Sequence, residues 1–172
     1  MIRAIREDRT PNLLVLQYSR EWMIRNLLLI PKFFLSESVI EKRKALANTA
    51  RRAGWIGCNI LLHEIPQDGK IEIISENSVV LRDRVRERFD SVRRLADVEP
   101  RMRGWTLDVL RIIRKLGKGG FTLQELYKFE PELQELHPLN RNVKAKIRQQ
   151  LQVLRDLSFI RFARPGQYSI VK

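Results

Sequence analysis

RGWTLDVLRIIRKLGKGGFTLQEL, residues 103–126, and NVKAKIRQQLQVLRDLSFIRFARPGQYSI, residues 142–170, carry three helix signals and one hairpin signal in a fixed order. Trp105 to Leu116 is amphipathic, and Gly117, Gly119 and Gly120 break it. Thr122 with Glu125 three residues on is a capping box: the Thr oxygen accepts an orphan amide and the Glu reaches back. Phe121 and Leu126 flank that cap as a hydrophobic staple, so a second helix starts at Thr122. After a Pro-punctuated loop comes a long basic helix, Asn142 to Asp156. Two short strands then surround Arg164-Pro165-Gly166. This order is the plan of a winged helix-turn-helix DNA reader.

At 100° per residue the long helix sorts into two stripes. Val143, Ile147, Leu151, Leu154 and Leu157 form the core stripe. Lys144, Arg148, Gln152 and Arg155 form another, with Ala145 and Gln149 beside it. Arg bonds guanine and Gln bonds adenine in bidentate fashion, so this face has the side chains that base edges require. Arg141, Asn142, Lys144, Ala145, Arg148, Gln149 and Gln152 are the expected DNA contacts on this helix, with Arg161 and Arg164 as wing contacts to phosphate.

The charge agrees with that reading. The 172 residues carry 33 Lys and Arg against 20 Asp and Glu, a net charge of +13. Residues 1–100 hold 18 basic and 14 acidic groups, residues 101–172 hold 15 and 6. The excess therefore falls on the half that would face phosphates, and double-stranded DNA is the expected partner. No apolar run approaches the roughly 18–20 residues of a membrane span. Met1 to Glu7 is followed by no apolar stretch of a signal peptide. Cys58 stands alone, which rules out a disulfide framework or a Cys-based zinc site and suggests a reduced, cytoplasmic setting.

The first half, residues 1–100, reads as mixed α/β, so the whole is α+β. Leu13 to Leu16 and Leu27 to Ile30 are apolar runs that suit strands buried on both faces. Trp55 to Leu62 and Lys70 to Ile74 follow as strands, with Pro66-Gln67-Asp68-Gly69 as the hairpin turn between them. Val85, Phe89, Val92 and Leu95 give Arg82 to Ala96 a helical period, and Asp97 to Arg103 is the expected linker. About four strands with one helix leave a sheet face bare, so either something upstream is missing or a partner covers it.

Catalytic signatures are scarce. Asp68-Gly69-Lys70 has the acidic-x-Lys form of a nuclease motif but lies in a Pro/Gly turn. His63 and His137 lie far apart and are expected at the surface. Gly117-Lys118-Gly119-Gly120 follows a helix and lacks phosphate-loop spacing.

Thr49-Ala50-Arg51-Arg52-Ala53-Gly54-Trp55-Ile56-Gly57-Cys58-Asn59-Ile60, Arg103-Gly104-Trp105-Thr106 and the run from Lys146 to Asp156 resemble the Dam-replacing protein family. Its DpnI-like members are type II restriction endonucleases that cut N6-methylated GATC. The resemblance implies a truncated PD-(D/E)xK nuclease domain lacking its catalytic segment over residues 1–100 and a winged helix DNA-binding domain over 101–172. It places the family's zinc-binding Cys pairs and its catalytic Asp and Glu-x-Lys upstream of the stretch matching Met1. Magnesium and structural zinc are thus implied for the intact enzyme and neither for this chain. It also implies that Trp55 lies against the adenine methyl groups, where the residues alone suggest a core aromatic under the sheet. Three readings follow: a methyl-adenine reader whose catalytic segment is a missing or split partner, a stand-alone transcriptional regulator, or a basic protein associated with RNA or the ribosome.

Overall fold

The computed structural model describes residues 1–171. The chain opens with a short helix, α1 (Ile2–Arg6), then a hairpin of β1 (Leu13–Tyr18) and β2 (Ile24–Ile30). Next come β3 (Ile40–Ala45), β4 (Ile56–Ile60), β5 (Ile71–Ser75), β6 (Ser78–Val79) and α2 (Arg82–Val92), the last continuing as a 3-10 turn over Arg93–Asp97. A four-stranded antiparallel sheet has the order β1-β2-β5-β6, and β3 pairs with β4 in a separate two-stranded ribbon.

Three expectations are corrected. The apolar run of β1 is not buried on both faces. Leu13 and Val15 pack on the core, but Leu14 is 60% and Leu16 51% exposed, because β1 is an edge strand with one face uncovered. The strand expected over Trp55 to Leu62 shortens to Ile56–Ile60 and pairs with β3, which Glu41-Lys42-Arg43-Lys44 concealed by offering no apolar alternation. Pro66 to Gly69 is a 3-10 turn between two different sheets, so it closes no hairpin.

The second half contains α3 (Pro100–Lys115), β7 (Gly120–Thr122), α4 (Leu123–Tyr127), α5 (Glu130–Leu136), α6 (Val143–Asp156), β8 (Ile160–Arg164) and β9 (Gln167–Ile170). The segment expected as a linker up to Arg103 is already helical, because Pro100 at the first helical position presets φ. The capping box at Thr122 and Glu125 is formed, with both side chains bonded to the other's backbone amide. The helix it starts ends at Tyr127, and α5 resumes with Pro131 in its first turn. Gly166, at φ 71°, turns the β8–β9 hairpin. An unexpected third strand, β7, joins β9, and only glycine fits there: a Cβ on Gly120 would lie 2.9 Å from the Tyr168 carbonyl oxygen.

One apolar cluster runs through both halves, from Ile5 and Ile30 to Leu154 and Ile160. Helix α3 is its centre. Arg103 donates to Asp8 at 2.9 Å, Arg114 to Asp68 at 2.8 Å, and Arg111 pairs with Glu64, all across the joint. On its other side Thr106 Oγ1 donates to Gln150 of α6 at 2.7 Å. Burial pushes the Asp8 carboxyl up, yet hydrogen bonds from Arg103 and Lys32 outweigh it and hold it below the ordinary range.

Candidate nucleic-acid interface

Helix α6 buries Val143, Ile147, Leu151 and Leu154, with Leu157 half-buried just beyond its end, so the expected core stripe is the core face. Lys144, Arg148, Gln149, Gln152 and Arg155 are exposed and Ala145 is half-buried. Arg141 is exposed just before the helix. Asn142 is the N-cap: its side-chain oxygen accepts from the Ala145 amide at 3.3 Å, which occupies part of what a base contact would need.

The exposed face is held in shape from both sides. Arg148 Nη1 donates to the Tyr127 hydroxyl at 2.9 Å. Lys144 Nζ lies 5.6 Å over the Tyr127 ring and 3.3 Å from Glu130. Tyr127, unremarked in the sequence, thus positions both cations from α4. It has no pattern signal of its own, since one aromatic near a helix end is equally a core residue. Lys146 Nζ donates to Gln149 at 2.8 Å, and burial lowers the Lys146 pKa.

On the wing side, the Arg155 guanidinium stands 4.7 Å over the Phe162 ring and pairs with Asp156. Phe162 meets Tyr168 edge-on at 5.0 Å, and Tyr168 stacks on Phe121 at 5.1 Å. This aromatic ladder ties the hairpin to α6 and to the helix cap. It sets Arg161 and Arg164, both exposed on β8, on the wing that flanks the helix. Burial is the main reason the Tyr168 phenol titrates above its ordinary value.

Residues 1–98 match the sequence model of the Dam-replacing family, and residues 101–170 match that of the Dam-replacing HTH domain. The chain belongs to the Dam-replacing family. Its second half is therefore a DNA-binding helix-turn-helix domain, in agreement with the α6 face and the wing.

The sheet-rich first half presents a second basic surface. The β3–β4 ribbon exposes Lys42, Arg43, Lys44, Arg51 and Arg52, a clustering visible in the sequence as charge. Trp55 stands on this ribbon, 52% exposed, which overturns its reading as a core aromatic. Its ring lies along Gly57, where a Cβ would come within 2.9 Å of Trp55 Cζ3. The structure thus places Trp55 on a different element from the α6 residues.

Among the described residues no three His, Cys, Asp or Glu side chains gather as a metal site. Asp68 has both oxygens bonded to Arg114, so the acid of the acidic-x-Lys string serves the joint; burial lowers the Lys70 pKa. Cys58 is free and exposed. His63 is exposed as expected, whereas His137 is only half-buried at the surface: it stacks on Trp105 at 3.8 Å and bonds Asp108 at 2.7 Å. No helix among the described residues is long and apolar enough to cross a membrane.

Proposed function

We propose that this protein reads N6-methylated GATC in double-stranded DNA and does not cleave it unaided. The observation that carries this reading is the exposed α6 face inside a helix-turn-helix domain. The N-terminal half of α6 enters the major groove. Arg148 exchanges its Tyr127 bond for a guanine edge, and Gln149 or Gln152 meets an adenine. Lys144 and Arg141 sit on phosphate, with Arg161 and Arg164 doing so from the wing. Ala145 is small and apolar, so it leaves room for a methyl group beside Gln149 without desolvating a polar atom. Trp55 supplies the second methyl contact from the β3–β4 ribbon.

Cutting would require carboxylates from a separate nuclease segment. The seat for such a partner is the open face of the β1–β2 hairpin. There Leu14, Leu16, Tyr18 and Ile24 are exposed and the outer edge of β1 is unpaired. Trp22 stacks on Tyr18 at 5.1 Å and is 80% exposed.

One buried methyl contributes at most about 1 kcal/mol, or roughly fivefold. Fluorescence anisotropy with the full chain on methylated GATC, unmethylated GATC and an unrelated duplex tests the reading. Methylated GATC should bind tightest, by up to about fivefold if one methyl is covered and up to about thirtyfold if both are. Equal affinity for all three duplexes would reduce the protein to a non-specific binder.

A further inference from the structure

The outer side of β1 is an unguarded edge. It has no backbone partner among the described residues, and Leu13–Tyr18 contains neither a charge nor a Pro. The extra residue at the irregular register falls on β2, at Arg25, so β1 itself stays a regular strand. Other edges of this protein are blunted. The strand β3 carries Glu41 to Lys44, β8 carries Arg161 and Arg164, and β6 is two residues long. An uncharged, regular edge strand is a template for another strand.

The side chains beside that edge are apolar and uncovered. Alternate residues of a strand share one face, which puts Leu14, Leu16 and Tyr18 together, with Ile24 of β2 opposite Tyr18. At the hairpin tip Trp22 stacks on Tyr18 and holds φ 61°, a left-handed conformation uncommon for a bulky side chain. Tyr18 is 54% and Trp22 80% exposed, so at about 150–250 Å² each they leave roughly 200–350 Å² in water. Leu14, Leu16, Met23 and Ile24 bring the patch toward the roughly 800 Å² that each partner of a stable complex buries.

Charge and register point to the occupant. Each chain carries +13, so two copies repel unless they meet where charge is absent. Leu13–Tyr18 is neutral, and Arg20 and Glu21 cancel at the tip. We infer that two copies of this chain dimerise edge to edge through antiparallel β1 strands, with Leu16 on the two-fold axis. An axis normal to the sheet keeps both apolar faces on one side only if a residue stands opposite its own copy. Centring on Leu16 pairs the whole strand: Leu14 of one copy meets Tyr18 of the other, and Val15 meets Gln17. Centring on Leu14 would set Tyr18 against Thr10, beyond Pro11. The product is one eight-stranded sheet, and it closes because only the two-residue β6 remains at each end. This inference does not rest on the DNA reading, and a nuclease segment seated on the same hairpin would exclude the second copy.

Sedimentation equilibrium of the full chain, freed of nucleic acid and loaded over a range of concentrations, tests this. A reversible monomer–dimer equilibrium is expected, and it should tighten as salt screens the repulsion between copies. Leu16→Lys changes an exposed residue and sets two ammonium groups opposite one another. Each copy contributes one such leucine, so the dissociation constant should rise about a hundredfold or more. Single cysteines in a Cys58→Ser chain read the register, since Cys58 is free and exposed. Facing residues of antiparallel strands have Cα atoms about 4.5–5.5 Å apart, within reach of a disulfide. Leu16→Cys should therefore cross-link to a dimer under a mild oxidant. Leu14→Cys, about 13 Å along the strand from its own copy, should not. A chain that sediments as a monomer at every concentration overturns the inference and leaves the hairpin to the nuclease segment. A dimer that is indifferent to Leu16→Lys, dispersed by salt, or cross-linked equally through Leu14→Cys overturns it too.

Discussion

Arg148 and Lys144 lie one helical turn apart on α6 and touch the same tyrosine, yet the reading above gives them different work. A bidentate Arg–guanine contact discriminates by about 1–3 kcal/mol. Arg148→Ala should therefore weaken binding to methylated GATC by about fivefold to 150-fold and leave an unrelated duplex nearly untouched. The folded state should barely notice, because the bond lost to the Tyr127 hydroxyl is exposed, and exposed polar contacts are worth at most about 1 kcal/mol. Lys144→Ala should weaken both duplexes alike and flatten the salt slope by about 0.9, as the loss of one phosphate contact does. Tyr127→Phe is the control for preorganisation. It frees Arg148 while keeping the ring under Lys144, so specific binding should fall by less than about tenfold and non-specific binding not at all. Anisotropy at several salt concentrations measures all three variants. Equal, sequence-independent losses for Arg148→Ala and Lys144→Ala would mean that Arg148 is only a phosphate contact and that other residues read the bases.

Trp55→Ala should reduce the preference for methylated over unmethylated GATC while sparing affinity for an unrelated duplex; a uniform loss in titrations of the three duplexes would make it a general contact. With magnesium present the purified chain should leave methylated GATC DNA uncut on a gel, and specific cutting would show that an active site has been misread. The capping box should respond to acid. Glu125, bonded by Lys118 first and then by Thr122, sits at about 2 against an ordinary 4.5. Its contribution is thus complete above about pH 4.5 and is lost as pH falls toward 2; Asp8 and Glu37, also depressed, act in the same sense. Thr122→Ala should cost about 1 kcal/mol at neutral pH and less in acid, which denaturant melts at pH 7 and pH 3 would check.

The winged half was legible because its signals are local. Thr122 and Glu125 specify their cap within one turn, and the spacing of Val143, Ile147, Leu151 and Leu154 fixes which side of α6 faces inward. The first half was read less well because its signals are not local. Leu14 and Leu16 have the composition of a buried strand, and only the strand order reveals that β1 is an edge. Glu41 to Lys44 form a strand with no apolar alternation, held by pairing to β4 alone. The bonds of His137 were not legible because its partners, Trp105 and Asp108, are about thirty positions away in sequence. At the interface, charge and amide types were readable, but Tyr127 was not, since its role depends on which atoms meet in space; Asn142 stands where an N-cap is expected, yet its residue type alone does not tell a cap from a base contact.

The shared core bears on whether residues 101–172 fold alone, as their patterning suggests. On α3, Arg103, Arg111 and Arg114 all reach partners in the first half, which fixes the side of the helix that faces it. At 100° per residue Leu107 and Leu110 fall on that same side. Both are buried, at 2% and 0% exposure. A segment starting at Glu99 would leave these two leucines in water. Each contributes about 1.5–3 kcal/mol when buried, so the loss is about 3–6 kcal/mol. Whole domains are stable by only about 5–15 kcal/mol, so the isolated winged half should fold but melt well below the full chain. The arginines do not add to that penalty, because they emerge into water together with the removal of their carboxylates and leave no buried charge behind. Leu107→Gln with Leu110→Gln, placed in the isolated segment, should then cost it little, whereas the same pair in the full chain should cost several kcal/mol. Thermal melts followed by circular dichroism compare the four proteins. An isolated segment as stable as the full chain, or a pair of substitutions equally costly in both, would show that α3 buries this face within the winged half and that the joint contributes nothing to it.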